Sequence, residues 1–296
     1  MSELDQLRIN FNPQSLMALN VILALVLFGI SLELKKEDFI ALLHNKKSTV
    51  AALFSHFILL PALTFLLVII LKPTASIALG MILVGACPGG NMSNFFTHIA
   101  KGNTALAVST TSLSHIMAIV LMPLNFSFYG SLYPPAAALL QEIHLSTVEV
   151  LQTVVVLVVL PLLAGMLLRH YKTTFAERLL PYMRKISFAA FAFFLVAAFA
   201  ANASVFLSTL HIILPIVIAH NTLALGSGYA FARLLRLSAA DCKTITFETG
   251  IQNSGLGLIL IFGFFNGLGG MALVAACWGV WHLVSGFTVA KWFSKM

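Results

Sequence analysis

Apolar runs of about twenty residues recur along this chain, each separated from the next by a short polar break, and a helix of that length crosses roughly 30 Å of hydrocarbon. Nine such runs can be drawn, at about 14–33, 47–71, 76–100, 104–128, 146–168, 182–205, 211–235, 241–265 and 270–293. The breaks are short apart from a longer loop at 129–145. The pattern predicts an all-α polytopic membrane protein with nine transmembrane helices and no soluble domain between them.

Two runs are interrupted from within. The third carries Ala86-Cys87-Pro88-Gly89-Gly90-Asn91-Met92-Ser93-Asn94, and the eighth carries Phe247-Glu248-Thr249-Gly250-Ile251-Gln252-Asn253-Ser254-Gly255. Spans one to four and six to nine form two four-helix units, at about 14–128 and 182–293, joined by a linking helix at about 146–168. One unit begins on each side of the membrane, so the two are inverted, and the third helix of each is the broken one. Broken helices at corresponding places in inverted halves mark the binding site of a secondary transporter near the bilayer midplane. The whole chain, 1–296, is then one transporter domain.

Composition agrees: of 296 residues, 59% are hydrophobic and 9% charged, far from a soluble domain. The formal charge of +7 could suggest nucleic acid, but the basic residues fall in the breaks. With the N-terminus outside and the C-terminus in the cytoplasm, all the lysines and arginines except Arg8 and Lys72 lie inside, as positive-inside topology requires. The lead at 1–12 has no basic n-region or cleavage site, so no removable signal peptide is expected. Cys87, Cys242 and Cys277 have no paired spacing and predict neither disulfides nor a zinc site. An intramembrane hydrolase would need paired aspartates, His-Glu-x-x-His or a serine with a base, and none is visible, so no enzyme is expected.

Pro88 lacks an N–H and two glycines follow it, so the third run should unwind near Cys87 to Gly90 and restart near Asn91. The new helix N-terminus favours an anion, while carbonyls on the preceding half-helix can ligate a cation. The second interruption has glycines without proline, and stretching is expected over Thr249 to Ile251. Small residues also suit a helix-packing interface, but that reading leaves Glu248 without a role, and a carboxylate at bilayer depth is costly. Ser93, Asn94, Glu248, Thr249 and Gln252 offer the oxygens a hard monovalent cation such as Na⁺ needs, with Glu248 as the compensating charge. A protonated Glu248 is the alternative, and proton coupling would use it.

These stretches, with Lys101-Gly102-Asn103 and Trp281-His282 before Ser285-Gly286, resemble the bile acid/sodium symporter family from about Leu23 onward. The resemblance implies a core domain with two crossing discontinuous helices that moves against a panel domain, carrying an organic anion with two sodium ions. It implies a first sodium site of Ser93, Asn94, Thr111 and Glu248, and a second of Glu248, Gln252 and the backbones of Thr249 and Ile251. Two positions depart from the bacterial pattern: Ala107 replaces a serine, and His56 replaces a glutamine of the second site. Imidazole binds sodium poorly, so one sodium is expected, with a proton or a histidine cation standing in for the second. On the substrate side the resemblance points to Asn91, Asn253 and His282, with Leu283 where an asparagine often follows. His220-Asn221 matches a family pair but is expected to bond between helices.

The expected function is sodium-coupled symport of a small organic anion in the bilayer of a bacterial inner membrane, with no nucleic-acid partner. A proton-coupled or uncoupled carrier of the same fold, auxin-efflux-like, and a bile acid carrier proper are the alternatives.

Overall fold

The computed structural model describes residues 5, 13–33, 45–142, 159–201 and 203–296, and among these the regular structure is helical. The helices are α1 (Pro13–Ser31), α2 (Lys46–Leu71), α3 (Ala75–Ala86), α4 (Met92–Ile99), α5 (Thr104–Leu132) and α6 (Pro134–Glu142). They continue with α7 (Leu160–Tyr171), α8 (Thr173–Ala201), α9 (Ala203–Leu234), α10 (Ala239–Gly250), α11 (Ser254–Phe264) and α12 (Gly269–Ser294). Lys46–Leu71, Thr104–Leu132, Phe206–Leu234 and Gly269–Ser294 are each long and apolar enough to cross a membrane, and α3 and α11 are shorter apolar helices. The molecule is an integral membrane protein.

Local chemistry explains the helix ends. Asn103, Ser238 and Asn253 each precede a helix and accept from the backbone N–H three residues on, at 3.1, 3.1 and 3.0 Å, satisfying a first-turn donor. Lys243 does the opposite service, donating to the terminal carbonyls Ala100 O at 3.0 Å and Phe293 O at 2.8 Å. In α2 the residues Ser55–Leu59 form a π-helical turn just before Pro61. Proline has no N–H for the carbonyl four residues back, and Asn125 of α5 supplies the missing donor to Phe57 O at 3.0 Å.

The apolar core lies among α3, α11 and α12, where Leu79, Met81, Val84, Ile261, Met271 and Trp278 have no exposed surface. Glycine lets these helices touch: a Cβ on Gly80 would come within 2.9 Å of Met271 Cα, the close approach that small residues permit in membranes. α10 lies along α9, and α1 packs on α7 and α8.

Two expectations change, and a third lies partly outside the described residues. The loop expected at 129–145 is helical as far as described, because α5 runs to Leu132 and the Pro134-Pro135 pair opens α6 at a position where proline suits a helix. Of the linking span at 146–168, residues 146–158 lie outside the described residues and 160–168 fall in α7. In the second interruption Thr249 and Gly250 stay helical, and the chain becomes extended only at Ile251, with φ −112° and ψ 92°.

Candidate functional site

The first interrupted run breaks where its composition says, and the second breaks at the end of the expected stretch. α3 ends at Ala86, Cys87 is extended, and α4 begins after Asn91, while α10 ends at Gly250 and α11 begins after Asn253. The two gaps meet. Gly89 and Gln252 form an antiparallel bridge, Gly90 N–H donates to Ile251 O at 2.8 Å and Asn253 N–H to Pro88 O at 2.9 Å. Each break thus satisfies part of the other's freed backbone, which hydrocarbon cannot do. Gly90 must lack a side chain, since its Cβ would stand 3.1 Å from Gln252 O. The remaining carbonyl at the end of α10, Gly250 O, accepts from Asn221 of α9 at 2.7 Å.

Glu248 sits beside this crossing with 2% of its surface exposed. Its Oε1 accepts from Ser93 of α4 and from Thr111 of α5, the latter at 2.8 Å. Ser93 and Thr111 are 3.3 Å apart, and Asn94 turns its carbonyl oxygen to Thr111 at 3.2 Å. The fold therefore brings together Ser93, Asn94, Thr111 and Glu248 from three helices. Two hydroxyl hydrogens face more oxygen acceptors than they can serve, and such a surplus of oxygen around one carboxylate suits a hard cation. Ala107, one turn before Thr111, is fully buried and adds no hydroxyl.

The residues of the expected second site are present but engaged. Ile251 O takes the Gly90 N–H, and Thr249 O takes Gln252's own Nε2 at 2.8 Å. Thr249 Oγ1 pairs with Ser55 Oγ at 2.7 Å. His56, in the π-helical turn, places Nδ1 3.0 Å from Glu248 O and Nε2 2.8 Å from Cys87 O. Carbonyls only accept, so the imidazole serves both at once only when both nitrogens carry hydrogen. What remains is Gln252 Oε1, buried and without a hydrogen-bond partner.

On the substrate side, Asn253 caps α11 with its oxygen and places its amide 3.5 Å from His115 Nε2. Asn91 makes no cap; its exposed amide donates to Glu33 Oε2 at 3.4 Å. Glu33 Oε1 in turn accepts from Arg184 Nε of α8 at 2.6 Å. This Arg184–Glu33–Asn91 chain was not anticipated from the sequence, where Glu33 and Arg184 stand at the ends of apolar runs. His282 is buried in α12 with Nδ1 unpartnered. His220 and Asn221 do bond between helices, to Thr64 at 2.7 Å and to Gly250 O.

Apolar helices of membrane-crossing length, surrounding two interrupted helices whose gaps pair around a buried carboxylate, define a membrane transporter rather than an enzyme. Comparison with known proteins agrees: the model of the sodium bile acid symporter family matches residues 20–209, and the chain belongs to that family. It is 31% identical over 280 residues to a Bacillus subtilis protein described as the uncharacterized sodium-dependent transporter YocS, covering 94% of this chain and 83% of that one. It is 32% identical over 239 residues to the probable sodium/metabolite cotransporter BASS1, chloroplastic, of Arabidopsis thaliana, covering 80% and 57%. The human P3 protein is 28% identical over 237 residues, 79% of this chain and 48% of that one.

Proposed function

We propose that the protein is a sodium-coupled symporter of a small organic anion, working by alternating access around the crossing of the two interrupted helices. The observation that carries this reading is the oxygen cluster on Glu248: one buried carboxylate, two hydroxyls and a carboxamide contributed by α4, α5 and α10. Ser93, Asn94, Thr111 and Glu248 hold one Na⁺. Coupling follows because the ligands come from both interrupted helices and from α5, so the ion stabilises one arrangement of these helices. A ligand shifts a conformational equilibrium only through such differential binding.

The reading of one coupled ion rests on His56, whose nitrogens lie against the carbonyls of Glu248 and Cys87 where the resemblance places a glutamine oxygen of the second site. The organic anion binds where the positive dipole ends of α4 and α11 meet beside Asn91 and Asn253, with His282 contributing from α12. A compact carboxylate is favoured, in keeping with the metabolite named for the Arabidopsis relative.

The supporting architecture is a single domain over 1–296 with nine spans, inverted repeats at about 14–128 and 182–293 and a linking helix at about 146–168. Core and panel parts move against each other. The chain sits in a bacterial inner membrane with its N-terminus outside and its C-terminus in the cytoplasm, in keeping with the distribution of lysine and arginine.

The test is uptake into proteoliposomes. A thermal-shift screen of keto acids, hydroxy acids and bile salts, with and without Na⁺, first identifies the anion. An inward Na⁺ gradient should then drive its accumulation, and Glu248→Ala should abolish that accumulation while the protein still inserts and elutes as a folded species. Accumulation driven equally by a pH gradient without Na⁺ would assign the carrier to proton coupling, and wild-type accumulation by Glu248→Ala would remove the carboxylate from the mechanism.

A further inference from the structure

At one end of the molecule α2 and α9 diverge and leave a crevice of about 520 Å³ lined by Lys46, Lys47, Val50, Phe54, Phe231 and Leu235. Its exposed lining is apolar, and the two lysines stand at its mouth. The two lysines open α2, and Val50 and Phe54 follow one and two turns deeper, so that at 1.5 Å per residue the groove runs about 12 Å from Lys46 to Phe54. The opposite wall runs the other way. Leu235 lies level with the lysines, its carbonyl accepting from Lys47 Nζ at 2.8 Å, and Phe231 stacks on Phe54 with ring centroids 5.4 Å apart. Val50 is 65% exposed and Phe54 44%, an apolar face of the kind that lipid chains cover in a membrane protein.

The charge at the mouth is uncompensated among the described residues. Neither lysine has a carboxylate partner there. The carboxylate on the neighbouring helix start, Asp241, is turned inward, its oxygens taken by the neutral donors Asn45, Ser48 and Asn103 at 3.2, 2.8 and 2.8 Å. Lys47 spends one of its three N–H groups on Leu235 O, and Lys46 is exposed with all three available. Arg233 and Arg236, both exposed, add positive charge to the same end of the molecule.

We propose that this crevice is a binding site for one anionic phospholipid, with the phosphate on Lys46 and Lys47 and an acyl chain laid over Val50, Phe54 and Phe231. A cationic rim leading into an apolar groove between membrane helices matches the two ends of such a lipid. A zwitterionic lipid would bring its own ammonium group to the two lysines and lose most of the attraction. The site lies on the outer surface of α2, the helix whose inner face carries His56, so the lipid braces one wall of the proposed ion site.

The experiment uses the full chain in mild detergent, offered equimolar phosphatidylglycerol and phosphatidylcholine and examined by native mass spectrometry. The expected result is one retained phosphatidylglycerol, preferred over phosphatidylcholine by about thirty-fold if each lysine contributes the usual attraction of a basic residue at a lipid surface. Lys46→Gln with Lys47→Gln should bring that preference near unity. Val50→Trp, which fills the groove and keeps both charges, should reduce retention of phosphatidylglycerol. All three positions are exposed, and an unchanged elution profile confirms that the variants fold. Equal retention of the two lipids by the unsubstituted protein, an undiminished preference in the double lysine variant, or full retention by Val50→Trp would each overturn the site.

Discussion

At the scale of single residues, the side chains around the crossing divide into those that have spent their hydrogen-bonding capacity and those that have not. His56 belongs to the first group: its two nitrogens lie against the carbonyls of Glu248 and Cys87, and it offers no oxygen to a cation. His56→Gln returns an oxygen donor to that position, so the dependence of uptake on Na⁺ should steepen, from a Hill coefficient near one toward two, as about two coupled ions require. Initial rates across a Na⁺ titration measure this, and a coefficient already near two in the unsubstituted protein would mean the histidine does not displace an ion. Glu33 is the reverse case, a carboxylate resting on an amide proposed to receive the substrate's. Glu33→Gln should lower the half-saturating anion concentration several-fold, the scale of one hydrogen bond to a charged group. No change would place Asn91 outside the substrate site. Asn94, Glu248 and Gln252 stood out in the sequence because carboxamides and a glutamate are so expensive in an apolar run, whereas Thr111 was named only through the family resemblance. The Arg184–Glu33–Asn91 chain was not legible, because charges at the ends of runs look alike whether they face water or each other.

At the scale of elements, the two interruptions are stable because each repairs the other. Gly90→Ala inserts a methyl 3.1 Å from Gln252 O and should push the gaps apart, costing about 1–3 kcal/mol, as overpacking usually does. Thermal unfolding in detergent should show a lowered midpoint, with uptake reduced by more than the loss of folded protein explains. A similar argument applies to α2. Asn125→Leu leaves Phe57 O without a donor, and a buried unsatisfied carbonyl costs about 1–3 kcal/mol. The same substitution combined with Pro61→Ala, which restores a backbone N–H, should recover part of that loss; no recovery would mean the freed carbonyl is not what Asn125 serves. Proline at 61 announced a missing hydrogen bond in the sequence. Nothing local announced the donor, since it comes from a different helix 68 positions away. The helix at Pro134–Glu142 fell in a break between apolar runs because it is too short to span hydrocarbon, and its two prolines sit at the first helical positions, where they are tolerated.

At the scale of the whole molecule, orientation is the remaining expectation that one measurement decides. Cysteines introduced for Lys101 and Lys291 should label only from the cytoplasmic side, and one at Lys72 only from outside. Any other pattern reverses the topology. The chain on its own determined that this is a helical membrane protein, where its runs lie and where two of them break. Those properties follow from terms that act along the chain: the thickness of hydrocarbon, the need to satisfy each backbone group within its own segment, and the inability of proline and paired glycines to continue a helix. Only the tertiary structure decided which oxygens surround Glu248, that His56 lies against the carbonyls of Glu248 and Cys87, and that the two breaks bond to each other. Ser93 and Thr111 reach Glu248 across 155 and 137 positions, and no periodicity relates residues so far apart. Their meeting depends on how the helices pack, and between helices in lipid that is governed by close contact and polar pairing, which a single run of sequence does not display.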